Sequence, residues 1–291
     1  MFLFSQDSIL PPSLKIPNLI KVFIKIIHFF STSLTLYISL KLFTTPIKFT
    51  TPKREFGMGE SSQKKKLKVP SIQKEIEILS YGFSDKKILL AHGWAGRSTQ
   101  LFMIANKLLE NGFMVISFDG PAHGKSSGKT TNLLEYIETI KAIDKKFGPF
   151  TAAVGHSFGS MAIMNAQADT SPFKNIVTVG SGDKVSDILL NFANNIGLNN
   201  KFGYKFIRYF EKKGNIKVDD YATFNVAKKV NIPTLIVHDV NDGDVAVSCA
   251  INIRQNLKKG KLLITNGLGH TKILRDKNVT QRIVDFIKEN S

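Results

Sequence analysis

The stretch Gly155-His156-Ser157-Phe158-Gly159 carries the residue types best suited to chemistry. An apolar run, Ala152-Ala153-Val154, precedes it, and Ser160-Met161-Ala162-Ile163 continues with helical character. A serine between glycines at such a strand-to-helix turn has its hydroxyl presented clear of the backbone, because the turn is too tight for side chains beside it. A serine hydroxyl is a poor nucleophile near neutral pH. It needs a histidine to take its proton during attack, and a carboxylate to hold that histidine in the right tautomer. The attacked carbonyl oxygen gains negative charge, and the Phe158 N–H, at the start of the helix, is a candidate donor to it. A G-x-S-x-G can occur by chance in any glycine-containing turn; the flanking strand and helix separate this one from that reading.

Four more stretches fit the same pattern. Ala91-His92-Gly93-Trp94-Ala95-Gly96 follows an earlier apolar run, and Phe118-Asp119-Gly120-Pro121-Ala122-His123-Gly124-Lys125-Ser126 follows the next. Ile232-Pro233-Thr234-Leu235-Ile236-Val237-His238-Asp239-Val240-Asn241-Asp242 and Gly267-Leu268-Gly269-His270 come late in the chain. With these motifs the chain resembles the α/β-hydrolase superfamily from about residue 75 to the C-terminus. The resemblance implies a triad of Ser157 as nucleophile, Asp242 as acid and His270 as base, in the chain order of that fold. It implies a second oxyanion donor in the Trp94 N–H, and a D-x-x-G-x-G-x-S loop in which Ala122 replaces the usual glycine. Asp239 and Asp244 flank Asp242 and are alternative acids. Asp183 occupies the acid position used by some relatives.

Serine at the nucleophile position argues against the dehalogenases and epoxide hydrolases of this fold, which carry aspartate there. What the resemblance implies is acyl chemistry on a small-molecule substrate: hydrolysis of a carboxylic ester, thioester or amide, or acyl transfer, with neither cofactor nor metal. A lipid hydrolase working at a membrane surface is one alternative, and a ligand-binding relative without turnover is another.

The remaining candidates have plainer readings. His156 is expected to pack and hydrogen-bond within the turn, His92 and His123 to brace their loops, and His238 to make a strand-end contact. Their scatter gives no metal-ligand spacing. Cys249, the single cysteine, excludes an intrachain disulfide and reads as a small core residue. Gly120 and Gly124 belong to no phosphate-binding loop.

These residues must be positioned by a scaffold, and 291 residues with 43% hydrophobic side chains can bury one. Strands are expected at 75–80, 87–91, 113–118, 151–154, 175–179, 233–238 and 261–265. Helices are expected at 100–110, 132–147, from about 158, at 247–257 and at 279–288. Such alternation predicts an α/β fold with a doubly wound, mostly parallel sheet. About fifty residues break it, with short helices expected at 189–196, 204–212 and 221–230. An insertion of that kind, at about 183–230, reads as a helical cap over the site. Its aromatic residues, among them Phe192, Phe202, Phe206 and Phe210, are expected to pack the cap onto the main domain.

The first 70 residues differ in composition from residues 71–291. They hold eleven Lys/Arg against Asp7, Glu55 and Glu60, a net of +8 within the +17 of the whole chain. Residues 18–43 are rich in Ile, Leu and Phe but interrupted by Lys25, His28 and Lys41. A membrane-spanning helix wants about 20 predominantly apolar residues, more than lie between those lysines. No small-residue cleavage site follows, as a signal peptide requires. The expectation is an apolar helix that docks on the protein or makes peripheral contact with a membrane, with a spanning anchor as the alternative, followed by an exposed linker at 57–68. No nucleic-acid-reading motif accompanies the charge. The Lys/Ile/Asn-rich composition suggests an AT-rich bacterial genome and, with no signal peptide, the cytoplasm. Oligomeric state has no signature in the sequence.

Overall fold

The computed structural model describes residues 16–291. The opening of the basic N-terminal segment, with Asp7 and Lys15, lies outside the described residues. The chain begins with helices α1 (Asn18–Phe30), α2 (Thr32–Thr44) and α3 (Phe56–Glu60), then strands β1 (Gln63–Val69), β2 (Lys74–Tyr81) and β3 (Lys87–Ala91). Next come α4 (Phe102–Glu110), β4 (Met114–Phe118), α5 (Leu133–Phe147), β5 (Phe150–His156), α6 (Phe158–Thr170) and β6 (Phe173–Val179). Helices α7 (Val185–Asn195), α8 (Asn200–Gly214) and α9 (Thr223–Ala227) precede β7 (Thr234–Asp239). The chain closes with α10 (Val247–Asn256), β8 (Gly260–Thr265), α11 (Gly269–Lys272) and α12 (Lys277–Glu289).

The strands make one sheet in the order β1-β2-β4-β3-β5-β6-β7-β8. Strands β4, β3, β5, β6, β7 and β8 run parallel, while β2 is antiparallel to both β1 and β4. Alternate residues of each central strand enter opposite cores. Ile88 and Leu90 of β3 join a core built with α4 and α12, and Leu89 and Ala91 join the one built with α5, α6 and α10. A sheet covered on both faces explains the continuous apolar runs that mark β3 to β7 in the sequence. Each fully buried aliphatic side chain contributes about 1.5–3 kcal/mol relative to exposure.

The strand order reverses at β3, which pairs with β4 on one side and β5 on the other. Loops leaving the carboxyl ends of β3 and β5 therefore diverge and leave a crevice, where open α/β sheets bind ligands. The H-G-W turn and the Ser157 turn occupy that place.

Three expectations require correction. The linker expected at 57–68 is instead α3 and edge strand β1, so the sheet starts before position 70. Its lysines face solvent and only Val69 is buried, which hides the strand's alternation among charged residues. The single apolar helix over 18–43 is two helices, because Ser31 turns extended and its hydroxyl accepts the Leu34 N–H at 3.2 Å, capping α2. The insertion at 183–230 divides in two. Helices α7 and α8 stand apart from the main cores, whereas Val226, Ala227 and Val230 lie in one of them. The cap's aromatic rings pack chiefly on the N-terminal segment: Phe192, Phe206 and Phe210 surround Phe43 of α2 at centroid distances of 5.0–5.8 Å.

Candidate active site

Ser157 sits between β5 and α6 with φ 51° and ψ −116°, a conformation costing a non-glycine residue on the order of 1–3 kcal/mol. The surroundings hold it there. Its N–H donates to Val179 O at 2.8 Å, and its carbonyl accepts Ser160 N–H at 3.0 Å. Two residues on, a Cβ at Gly159 would lie 2.3 Å from the Ala91 carbonyl oxygen, so the turn closes against β3 only with glycine there.

Asp242 and His270 arrive on separate loops. His270 Nδ1 lies 2.7 Å from Asp242 Oδ2. Asp242 Oδ1 accepts the Asp244 and Val245 N–H groups at 2.8 and 2.9 Å, which fixes the carboxylate. Burial alone would raise the Asp242 carboxyl, but the hydrogen bond and charge of His270 and the Val245 N–H hold it below the ordinary carboxylate value. His238, on β7, braces the same turn, with Nε2 2.9 Å from Val245 O and 3.5 Å from Asp242 Oδ2.

The alternative acids are engaged differently. Asp239 Oδ2 accepts from Thr265 Oγ1 at 2.7 Å and Leu268 N at 3.0 Å, organising the loop that carries His270. Asp183 accepts from Asn252 Nδ2 at 2.7 Å, on α10. Asp244 is exposed and lies with Asp242 and His270 in the one trio of possible metal ligands among the described residues, their candidate atoms within 4.8 Å. The His270–Asp242 hydrogen bond already accounts for two members of that trio.

His156 ties the Ser157 turn to the loop that carries His270. Its Nε2 donates to the His270 carbonyl at 3.0 Å, and the two rings are 4.7 Å apart. Burial, then the nearby His270, push its pKa down to about 3, so it is neutral and serves as a strut. Sequence reading placed His156 within the turn but missed this partner, 114 residues away. Gly180 was missed altogether. It directly follows β6 with φ +61°, and a Cβ there would lie 3.2 Å from both Cε1 and Nδ1 of His270.

Trp94 and Phe158 flank Ser157 from the two sides of the crevice, their rings 5.3 Å apart. Neither backbone N–H has a protein acceptor among the described residues. Around them the loops are tightly braced. His92 Nε2 accepts Gly120 N–H at 2.8 Å and His123 Nε2 accepts Ala95 N–H at 3.1 Å, which fixes both tautomers. Burial lowers both pKa values, that of His123 to about 4. Asp119 accepts Ser98 N–H and Lys125 N–H, each at 2.7 Å, and the Tyr136 hydroxyl donates to the His92 carbonyl at 2.9 Å. Ala122 adopts φ +64°, the left-handed conformation for which glycine is usual.

A clamp from the N-terminal segment completes the bracing. Buried Glu55 accepts from Arg97 Nη1 with both oxygens, at 3.0 and 2.8 Å, and from Thr99 Oγ1 at 2.7 Å. Phe43 stacks near Trp94 at 6.4 Å, so the N-terminal segment reaches the crevice itself. Nothing in the local sequence announces either contact, since the partners are far apart along the chain.

A family model described as alpha/beta hydrolase fold matches residues 86–215, and one described as TAP-like protein matches 216–291. No curated protein sequence matches the chain. Among solved structures, an esterase from Pyrococcus furiosus is 17% identical with a TM-score of 0.66, covering 84% of this chain and 98% of that one. An esterase from Exiguobacterium antarcticum is 17% identical with a TM-score of 0.61, covering 78% and 100%. A membrane phospholipase A, described as a bacterial virulence factor, is 16% identical with a TM-score of 0.64, covering 81% and 89%. At such identities the likeness is one of fold. The two family matches adjoin and run from the start of β3 to the last residue, and the chain belongs to the α/β-hydrolase superfamily.

Proposed function

We propose that this chain is a serine hydrolase that cleaves carboxylic esters through an acyl-enzyme on Ser157. The observation that carries the reading is the 2.7 Å hydrogen bond between His270 Nδ1 and Asp242 Oδ2, in a histidine loop tied through His156 to the Ser157 turn. With Nδ1–H donated to a carboxylate, Nε2 is the unprotonated edge that can act as base.

Ser157 Oγ attacks the ester carbonyl carbon while its proton passes to His270 Nε2. The oxyanion so formed accepts hydrogen bonds from the Trp94 and Phe158 N–H groups, which have no protein acceptor among the described residues. Collapse breaks the bond to the leaving alkoxide, which takes the proton from Nε2 and departs as an alcohol. Water then attacks the acyl carbon with Nε2 as base, releasing the carboxylic acid and restoring Ser157. Asp242, its pKa held down, stays ionised and stabilises the transient imidazolium. The esterases among the structural neighbours favour an ester over an amide. The ring cluster of Phe43, Phe192, Phe206 and Phe210 beside Trp94 favours an apolar acyl group.

The test is covalent labelling by a fluorophosphonate, run beside hydrolysis of short p-nitrophenyl esters. The wild type should label and turn over; Ser157→Ala and His270→Ala should do neither. Asp242→Asn should lose on the order of 10⁴ in kcat through the wrong histidine tautomer. A folded wild type that neither labels nor hydrolyses any ester of the series would refute the reading in favour of a ligand-binding relative.

A further inference from the structure

Helices α1 and α2 carry two apolar faces, and among the described residues only one of them is packed. On the inner face Leu36, Leu40 and Phe43 pack with Leu189, Phe206 and Ile207 of the cap, and Ile24 is buried. His28 meets Phe202 edge-on at 5.3 Å. None of the described residues covers the outer face. Leu19, Val22, Phe23, Ile26, Phe29 and Phe30 recur along one side of α1, with Leu19 and Phe29 83% and 85% exposed. The stripe continues through exposed Tyr37 and Leu42 to Ile47 and Phe49. Large apolar side chains in contiguous exposure mark a surface meant for a partner.

The charge around this face says which partner. From Asp7 to Glu55 the sequence contains no acidic residue, while Lys21, Lys25, Lys41, Lys48, Lys53 and Arg54 all fall within that stretch. Lys25, Lys41 and Lys48 are exposed among the apolar side chains. Protein–protein interfaces are depleted in lysine, whereas helices lying in a bilayer interface combine lysines with Phe and Leu. Among the described residues no helix is long and apolar enough to cross a membrane. At 13 residues each, α1 and α2 are about 20 Å long.

We propose that the α1–α2 segment is a docking face for an anionic lipid bilayer, lying in the interface with Phe23, Phe29 and Phe30 among the acyl chains and the lysines at the headgroups. The same segment delivers Phe43 to Trp94 at the crevice. Where the esterase reading holds, and on that reading alone, docking brings the site to esters carried in the bilayer. Docking itself needs no working nucleophile.

Flotation of the full chain with vesicles tests this, using phosphatidylcholine alone and phosphatidylcholine mixed with phosphatidylglycerol. Wild type and Ser157→Ala should float alike with the mixed vesicles, and less with phosphatidylcholine alone. The combined variant Phe23→Ser, Phe29→Ser and Phe30→Ser should partition about a hundredfold more weakly, through lost apolar burial. Its thermal melt and its hydrolysis of soluble esters should be unchanged, because those rings are exposed in the free protein. Lys21→Gln with Lys25→Gln and Lys41→Gln should weaken binding to the mixed vesicles at least about tenfold. The proposal is overturned if the wild type fails to float, or if the triple serine variant floats as well as wild type. It is equally overturned if the wild type is a dimer that the serine variant converts to monomer with neither binding vesicles, since the occupant is then a second copy. Loss of ester hydrolysis with flotation intact would sink only the esterase reading.

Discussion

Adding a single methyl group at Gly180 should slow the enzyme without unfolding it. Gly180 has φ +61°, and a Cβ there would sit 3.2 Å from His270 Cε1 and Nδ1 and 3.5 Å from Asp242 Oδ2. Ordinary contact needs a few tenths of an ångström more, so Gly180→Ala must push the imidazole aside or stretch its bond to Asp242. A misplacement of about 1 Å can cost on the order of 10²-fold in rate, so a shift under half that size should cost about tenfold in kcat. The left-handed backbone adds about 1–2 kcal/mol of instability, a fall of roughly 2–3 °C in Tm. Gly112 supplies the control. It has φ +78° and open space where a Cβ would go, in the turn between α4 and β4. Gly112→Ala should therefore show the same loss of Tm with kcat unchanged. The assay is steady-state hydrolysis of a soluble p-nitrophenyl ester beside a thermal melt of each variant. Wild-type kcat in Gly180→Ala, with the expected fall in Tm, would refute the placement of His270 at the chemical step. A tenfold loss in both variants would show that backbone strain, rather than contact with the ring, is responsible.

Breaking the Glu55 clamp should be costly, since Glu55→Gln leaves Arg97 with its charge unmatched and largely buried. The expected destabilisation is about 3–5 kcal/mol by denaturant melting, with a fall in kcat as the loop bearing Trp94 loosens; a change below about 1 kcal/mol would show that the pair is dispensable. Acid should destabilise the fold well before carboxylates protonate. His123 and His156 have pKa values lowered to about 4 and about 3 by burial, while the unfolded chain takes up protons near 6.5. Their stabilising effect is complete above pH 6.5 and is lost as pH falls toward the folded values, at about 1.4 kcal/mol per histidine per pH unit. A denaturation midpoint flat between pH 6.5 and 4.5 would contradict this. Cys249, its thiol pushed up to about 12 by burial and the adjacent Asp183, should resist iodoacetamide at neutral pH in the folded protein and react once it is unfolded, as read by mass spectrometry.

Much of the candidate site's geometry was legible in the sequence, because its determinants are local. A strand, a glycine-flanked serine and a helix in succession dictate a turn that only one backbone path satisfies, and Ser157 follows from it. Alternating buried strands and amphipathic helices predicted the parallel sheet for a similar reason: a face of period 2 or 3.6 must find a partner. Strand β1 stayed hidden because an edge strand buries almost nothing, so its lysines follow solvent rather than the pleat.

Contacts between distant segments were decided only by tertiary structure. Asp239, Asp242 and Asp244 are equivalent as letters. They differ because Asp239 turns to Thr265 and Leu268 while Asp242 turns to His270. His156 becomes a strut only when the last loop brings the His270 carbonyl to it, and Gly180 matters only because an imidazole lies against it. The N-terminal segment shows the division most clearly. Its composition announced an apolar, basic stretch, since hydropathy and charge are additive along a chain. Which side of that stretch would meet the cap and which would remain bare is a property of packing, fixed by where Ser31 breaks the helix and where Phe43 finds its ring partners.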